Sequence, residues 1–356
     1  MWQPARQPYA SAGSETGAKS RRGSSNDISA RQGPRQPKFS RRTFITATGL
    51  GIATIPLTGV PGTFSDSASA APSARVVTSL DVLSDVQGDL DDFADALTDL
   101  HSLGTADALV INGDLVGSGT VEEYEDLYAT LASIPHPNTV LAALGNHEQY
   151  NSDPFDTQVA RFLHYTGMPD VYSTATVGSL PLVFIGTTAP APNGTQPPFV
   201  TLGGTQLAWL EATLASYANH KYVLVFSHHV LPGTVSGTVG PDRGHFYDKD
   251  FIDEDQLLTI LGAHPNVVFF SGHTHWDLHR DDWAARKVVS GGDPRGFAVV
   301  NTGFIQTMYV PDGRGNAFPA SPFESQGLRV LLDTEGNLRV QARDFMRNKP
   351  IRTLVL

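Results

Sequence analysis

The sequence predicts an α/β domain with mixed sheets over residues 75–356, on three observations. Short apolar runs that end in polar clusters alternate with stretches of helical period. Residues 297–356 turn strand-like. No stretch of convincing linker composition divides the chain after residue 75, so a single domain is expected.

The elements follow in order. Val76–Ser84 is expected as a strand, and Leu90–Leu103 as a helix with Leu90, Phe93, Leu97 and Leu100 on one face. Ala108–Ile111 is a short buried strand, and Val121–Ile134 a helix with acidic first turns. Thr139–Leu144 is the next strand and Phe155–Tyr165 a helix. Tyr172–Val177 and Leu182–Gly186 form a pair of strands, followed by a Pro-rich loop and a helix over Thr205–Tyr217. Tyr222–Ser227 and Val267–Ser271 are strands that flank a Gly-rich loop and a helix over Asp255–Leu261. Leu328–Asp333 and Leu338–Phe345 flank Glu335-Gly336-Asn337 as a hairpin.

Composition narrows the function classes. Hydrophobic content of 40% with 17% charged residues is globular, so a sizeable core can be buried. The whole chain carries −11 and its first 70 residues +6, which leaves −17 on the rest. An acidic body argues against a long nucleic-acid groove, which needs clustered Lys and Arg to displace counterions, and against anionic lipid. With no cysteine, neither disulfides nor thiolate ligation can operate.

The first 38 residues are rich in Ser, Gly, Arg, Gln and Pro and hold too few apolar groups to offset the entropy of ordering. Arg41-Arg42 then precede Phe44, a mildly apolar run from Ile45 to Val60, and Ala68-Ser69-Ala70. That order resembles a twin-arginine signal peptide, with residues 1–70 a basic leader. It implies the twin-arginine export machinery as a partner. The mature chain would be secreted, periplasmic or cell-wall associated, with no stable membrane association.

Five short motifs sit just after predicted strands, where open α/β sheets place ligands. They are Asp85-Val86-Gln87, Asn112-Gly113-Asp114, Gly145-Asn146-His147-Glu148, His228-His229 and Gly272-His273-Thr274-His275. Singly each is weak, because an Asp at a strand end ordinarily caps a helix or a turn. The run Asp89, Asp91, Asp92 and Asp95 has that explanation: it opens a helix and stabilises its N-terminus. Jointly the five motifs offer carboxylate, carboxamide and imidazole groups suited to borderline first-row divalent metals.

This order of motifs resembles the calcineurin-like metallophosphoesterases, whose signature runs D-x-[HQ], G-D, G-N-H-[ED], H, G-H-x-H. The resemblance covers Asp85 to His275. It implies a four-layer α/β/β/α sandwich with two mixed sheets, holding two divalent or mixed-valence metal ions (Mn, Fe, Zn or Co). Asp85, Gln87, Asp114 and His275 would hold one ion, and Asp114, Asn146, His228 and His273 the other. His147 would reach the phosphate oxygens or the leaving group, oriented by Glu148 or a nearby carboxylate. The implied reaction is hydrolysis of a small phosphomonoester or phosphodiester by a hydroxide bridging the two metals.

Gln87 stands where His is commoner in that family. A carboxamide is a harder and weaker ligand than imidazole, so the first site is expected to lean toward Mn²⁺, Mg²⁺ or Fe²⁺ over Zn²⁺. Alternatively Gln87 is a hydrogen-bond donor behind the ligands. His229, Arg243 and His245 are assigned to substrate, with Tyr247 beside them, against the alternative of solvated loop residues. Trp276 and His279 either wall the pocket or, for Trp276, serve packing. Two other classes remain open: a non-catalytic metal- or ligand-binding module on the same scaffold, and a nuclease. A Ser hydrolase is unsupported, since Gly-x-Ser-x-Gly is absent and Gly117-Ser118-Gly119 reads as a loop.

Overall fold

The computed structural model describes residues 74–239, 247–312, 317–321 and 324–356. The leader, Arg41, Arg42, Arg243 and His245 lie outside the described residues. The described residues belong to one compact unit, and none of their helices is long and apolar enough to cross a membrane.

Two six-stranded mixed sheets form the frame. The first is ordered β14 (Lys349–Val355), β13 (Leu338–Asp344), β12 (Gln326–Asp333), β1 (Val76–Leu83), β2 (Ala108–Asn112), β3 (Val140–Ala143). The strands β1, β2 and β3 run parallel, while β12, β13 and β14 are joined antiparallel. The second is ordered β4 (Ser173–Val177), β5 (Leu180–Phe184), β6 (Val223–Phe226), β7 (Val267–Ser271), β9 (Phe297–Asn301), β8 (Ala284–Lys287). Its four inner strands are parallel and its two edges antiparallel. A small hairpin, β10 (Met308–Pro311) with β11 (Ala317–Ser321), stands apart.

Strand alternation explains the layering. Side chains on a strand point to opposite faces in turn. In the second sheet Leu182, Phe184, Leu224, Phe226, Val268 and Phe270 join one core with the first sheet. Their neighbours Val183, Val223, Val225, Val267 and Phe269 join another with helices α4 (Gly203–Ser216) and α5 (Glu254–Gly262). The helices α1 (Leu90–Ser102), α2 (Val121–Ser133) and α3 (Phe155–Thr166) cover the first sheet through Phe93, Leu97, Tyr124, Leu127 and Phe162. Both sheets are thus buried on two faces, which is why their strands read as continuous apolar runs.

Local signals act as expected. Asp89 caps α1 by accepting the Asp92 N–H, and Thr120 with Glu123 forms a capping box on α2. The C-terminal strands are tied to the rest by buried ion pairs. Arg329 on β12 grips Asp81 on β1 at 2.8 and 3.0 Å, and Arg343 on β13 grips Asp99 on α1.

Candidate metal centre

Every motif emerges at the carboxyl end of a parallel strand: Asp85 and Gln87 after β1, Asp114 after β2, Asn146 and His147 after β3, His228 after β6, His273 and His275 after β7. The turns that follow are tight. Asp85, Gln87, Asp114, His273 and His275 all have positive φ, between 46° and 67°. Non-glycine residues avoid that region, at a cost of about 1–3 kcal/mol each, and persist there when the surroundings over-determine them. Two motif glycines have a simpler explanation. A Cβ on Gly145 would lie 2.1 Å from Asp114 Oδ1, and one on Gly272 would lie 2.0 Å from Ser84 Oγ and 2.7 Å from Asp85 Oδ2. The loops close on the carboxylates only because those side chains are missing.

Asp114 sits at the junction. Its Oδ2 lies 3.1 Å from His228 Nε2, 2.9 Å from Gln87 Nε2 and 3.9 Å from His147 Nε2. Its Oδ1 accepts the His147 backbone N–H at 2.9 Å. Asp85 Oδ1 lies 3.0 Å from His275 Nε2 and 3.7 Å from His228 Nε2. Potential ligand atoms of Asp114, His228 and His273 fall within 4.8 Å of one another, all three residues buried.

Residues 78–277 match the profile of the calcineurin-like phosphoesterases. The chain belongs to that family. Residues 278–356 match a second profile, described as a domain of unknown function, DUF4073. The glycerophosphodiester phosphodiesterase GpdQ of Enterobacter lignolyticus (strain SCF1) is 27% identical over 201 residues, 51% of this chain and 61% of that protein. A purple acid phosphatase from yellow lupin (Lupinus luteus) seeds shares the fold, with a TM-score of 0.52 and 14% identity. The superposition covers 80% of this chain and 54% of the lupin protein. The chain therefore spans about three fifths of the first relative and about half of the second.

The electrostatics of the phosphoesterase site are those of a cation trap. Burial penalises the charge on Asp114, yet His228 and His147 outweigh it and hold the carboxyl well below its usual range. Burial likewise opposes charge on His228, while Asp114 and Asp85 push its pKa up to about 10. A divalent cation held here would take the place of that proton, so its uptake would strengthen as pH rises. The residues fit such an ion: Asn146 Oδ1 is buried without a hydrogen-bond donor, because the Nδ2 of the same amide donates to Tyr150 Oη at 2.7 Å. Two carboxylates, imidazoles and an unpartnered amide oxygen form a donor set for first-row divalent metals.

Backbone carbonyls fix two of the imidazoles. His228 Nδ1 pairs with the Asn112 carbonyl at 2.9 Å, and His275 Nδ1 with that of Thr307 at 2.9 Å, which leaves each Nε2 toward the carboxylates. Such contacts set the tautomer and orientation of a ligating His. The DUF4073 segment reaches into the centre here. The Gln306 N–H donates to the Asp85 carbonyl and the Tyr309 N–H to that of His275, and the Tyr309 ring stacks on His275 at 4.8 Å. Nothing in the periodicity of residues 297–356 signals this role.

Several expectations are corrected. Glu148 does not orient His147. Its carboxylate accepts the N–H groups of Asp114, Leu115 and Gly145 at 2.6–3.1 Å and so ties the second motif to the third. Burial, with Asp114 adding to it, pushes its pKa up to about 8. The Gly117 carbonyl holds His147 instead, 2.7 Å from Nδ1. His229, expected near substrate, is only 2% exposed, with its ring stacked on Phe199 and beside His273. It lies behind the site.

Tyr247 is buried edge-on to His273. Trp276 is fully buried as packing, while His279 pairs with Asp277 at 2.8 Å on the surface. Gln87 presents its amide edge to Asp114 Oδ2 and to His275 Nε2, at 2.9 and 3.1 Å. As placed, it acts as a donor behind the ligands. A half-turn of the amide sets its oxygen in the same position.

Proposed function

We propose that the chain hydrolyses a phosphoester with the help of two divalent or mixed-valence cations. Asp85, Gln87, Asp114 and His275 would hold one, and Asp114, Asn146, His228 and His273 the other. The observation that carries this reading is Asp114, a buried carboxylate with His228, Gln87 and His147 gathered round one of its oxygens. When bound, such a pair supplies an activated water at neutral pH and offsets charge on the phosphoryl oxygens.

The chain's own groups do the rest. His147 is fixed through Nδ1 by Gly117, partly exposed, and presents Nε2 to the same space as Asp114. A proton on that nitrogen can pass to the departing alkoxide, a role typically worth about 10²–10⁴-fold. Beside Asn146 a cavity of about 190 Å³ is lined by Gln149, Tyr150, Asn151, Asp153 and Gln158, among others. Its polar side chains, set beside Phe155, Pro190 and Ala191, offer hydrogen-bond partners to a small hydroxyl-bearing alcohol, in line with the glycerophosphodiester in that relative's name. A small phosphodiester is the preferred substrate on this reading, with monoesters turned over more slowly. Nucleic acid is not expected.

The test is a Mn²⁺-reconstituted assay with panels of mono- and diesters. Hydrolysis should require metal and favour diesters of small alcohols. Metal binding without turnover of either class would leave only a binding module. His147→Asn should lower kcat about 10²–10³-fold for an alkyl diester. It should matter much less for a nitrophenyl ester, whose leaving group needs no proton. Equal losses on both would remove the acid role from His147.

The proposal places this activity outside the cytoplasm, on the strength of Arg41-Arg42 and the apolar run that follows. Replacing both arginines by lysine should keep the precursor inside the cell. Export at the parent's level would reject the twin-arginine route.

A further inference from the structure

The three imidazoles of the proposed dinuclear site are not supported alike. For His228 and His275 a backbone carbonyl meets Nδ1 and Nε2 turns to the carboxylates. His273 is turned round: its Nε2 lies 3.8 Å from Asp250 Oδ2. Asp250 is 2% exposed and belongs to no motif. Among the described residues the basic side-chain nitrogen beside its carboxylate is that of His273.

Asp250 is held firmly in place. Its backbone carbonyl accepts the N–H groups of Phe199 and Val200 at 2.9 Å, and its Oδ2 accepts the Val230 N–H at 3.2 Å. Its Oδ1 is buried and makes no hydrogen bond. A buried carboxylate with an idle oxygen is costly unless positive charge lies nearby. Asp250 is not grouped with Asp114, His228 and His273 at ligand spacing. A gap of 3.8 Å is spanned by one water or by a small closure of the pair.

We propose that Asp250 is a positioning residue for the second cation: it engages His273 Nε2 and thereby leaves Nδ1 of that ring as the metal ligand. The inference rests on the dinuclear reading above and adds a carboxylate–imidazole–metal relay to it. In such relays the outer carboxylate fixes the tautomer and makes the imidazole a stronger donor, and its loss typically costs about 10–100-fold in metal affinity.

The experiment titrates Mn²⁺ into the metal-free mature protein and into D250N by calorimetry. D250N keeps the shape and an acceptor for Val230 but removes the charge. The second equivalent should bind about 10–100-fold more weakly in D250N, with the first unchanged. D250E should recover part of the loss. Equal affinity for both equivalents in folded D250N and parent would overturn the relay while leaving the dinuclear site intact. A parent that takes up only one equivalent would overturn both.

Should D250N fail to fold, histidine-ring ¹⁵N NMR of the unmodified protein with Zn²⁺ decides. The relay requires His273 to bind through Nδ1 with Nε2 protonated, and coordination through Nε2 would contradict it.

Discussion

Replacing Asp114 by Asn should lower kcat at saturating Mn²⁺ by about 10³-fold or more and empty at least one of the two cation positions. Removing a single preorganised charge-stabilising donor typically costs about 10²–10³ in rate, and here a shared ligand is lost as well. Asn is the informative substitution. Asp114 has a φ of 52°, which Asn tolerates and Ala does not. The amide oxygen can still accept the His147 N–H that Oδ1 takes at 2.9 Å. The backbone should therefore hold while the charge disappears, and an unchanged circular dichroism spectrum would separate chemistry from unfolding. Activity within tenfold of the parent would show that Asp114 is not shared between cations.

The second large effect concerns stability. Arg329→Met should destabilise the metal-free protein by about 3–5 kcal/mol, the usual cost of removing one partner of a buried ion pair. At about 2–4 °C per kcal/mol for a chain of this class, the midpoint of thermal unfolding should fall by about 6–20 °C. Arg329 is suited to the position because one guanidinium meets four acceptors. It grips both oxygens of Asp81, and its Nη2 also donates to the carbonyls of Leu100 and Gly104 at 2.9 Å. The Leu100 carbonyl lies in the last turn of α1, where it also takes the Leu103 N–H, and that of Gly104 lies just beyond the helix, so the arginine secures the end of α1 as well.

Burial already pushes the Asp81 carboxyl up against the pull of Arg329, and without that arginine only the more distant Arg343 opposes burial and Asp99. Replacing Asp81 by Leu as well should recover most of the loss, because an apolar pair carries no desolvation penalty. Scans with chelator present keep bound metal from masking the difference. A drop under 2 °C would mean that the pair contributes nothing.

Much of the site was legible because each motif is local. An Asp or His directly after an apolar run marks the carboxyl end of a strand, and parallel strands gather those ends on one side. Asp85, Asp114, His228, His273 and His275 are legible this way, and their side chains lie close together in the structure. What was not legible depends on contacts between distant segments. Asp250 belongs to no motif, and its significance arises only when β7 brings His273 beside it. The Thr307 carbonyl and the Tyr309 ring reach His275 from a segment whose sequence says no more than "strand".

Glu148 shows a subtler limit. Its place in the third motif suggested His147 as partner, yet in the 3₁₀ turn that follows Asn146 the carboxylate turns back to the Asp114 and Gly145 N–H groups. In the same way His229 adjoins His228, but in the bend that follows β6 its ring turns into the aromatic layer with Phe199. The layered fold followed from continuous apolar runs. The order of the strands did not, since β12 pairs with β1 across nearly the whole sequence and only Asp81 and Arg329 hint at it.

Everything turns on two cations meeting at one carboxylate. Anomalous scattering from crystals of the Mn²⁺-loaded protein should reveal two peaks about 3.5–4 Å apart, one on each side of Asp114. A single peak, or a pair that leaves Asp114 outside both coordination spheres, would contradict the account.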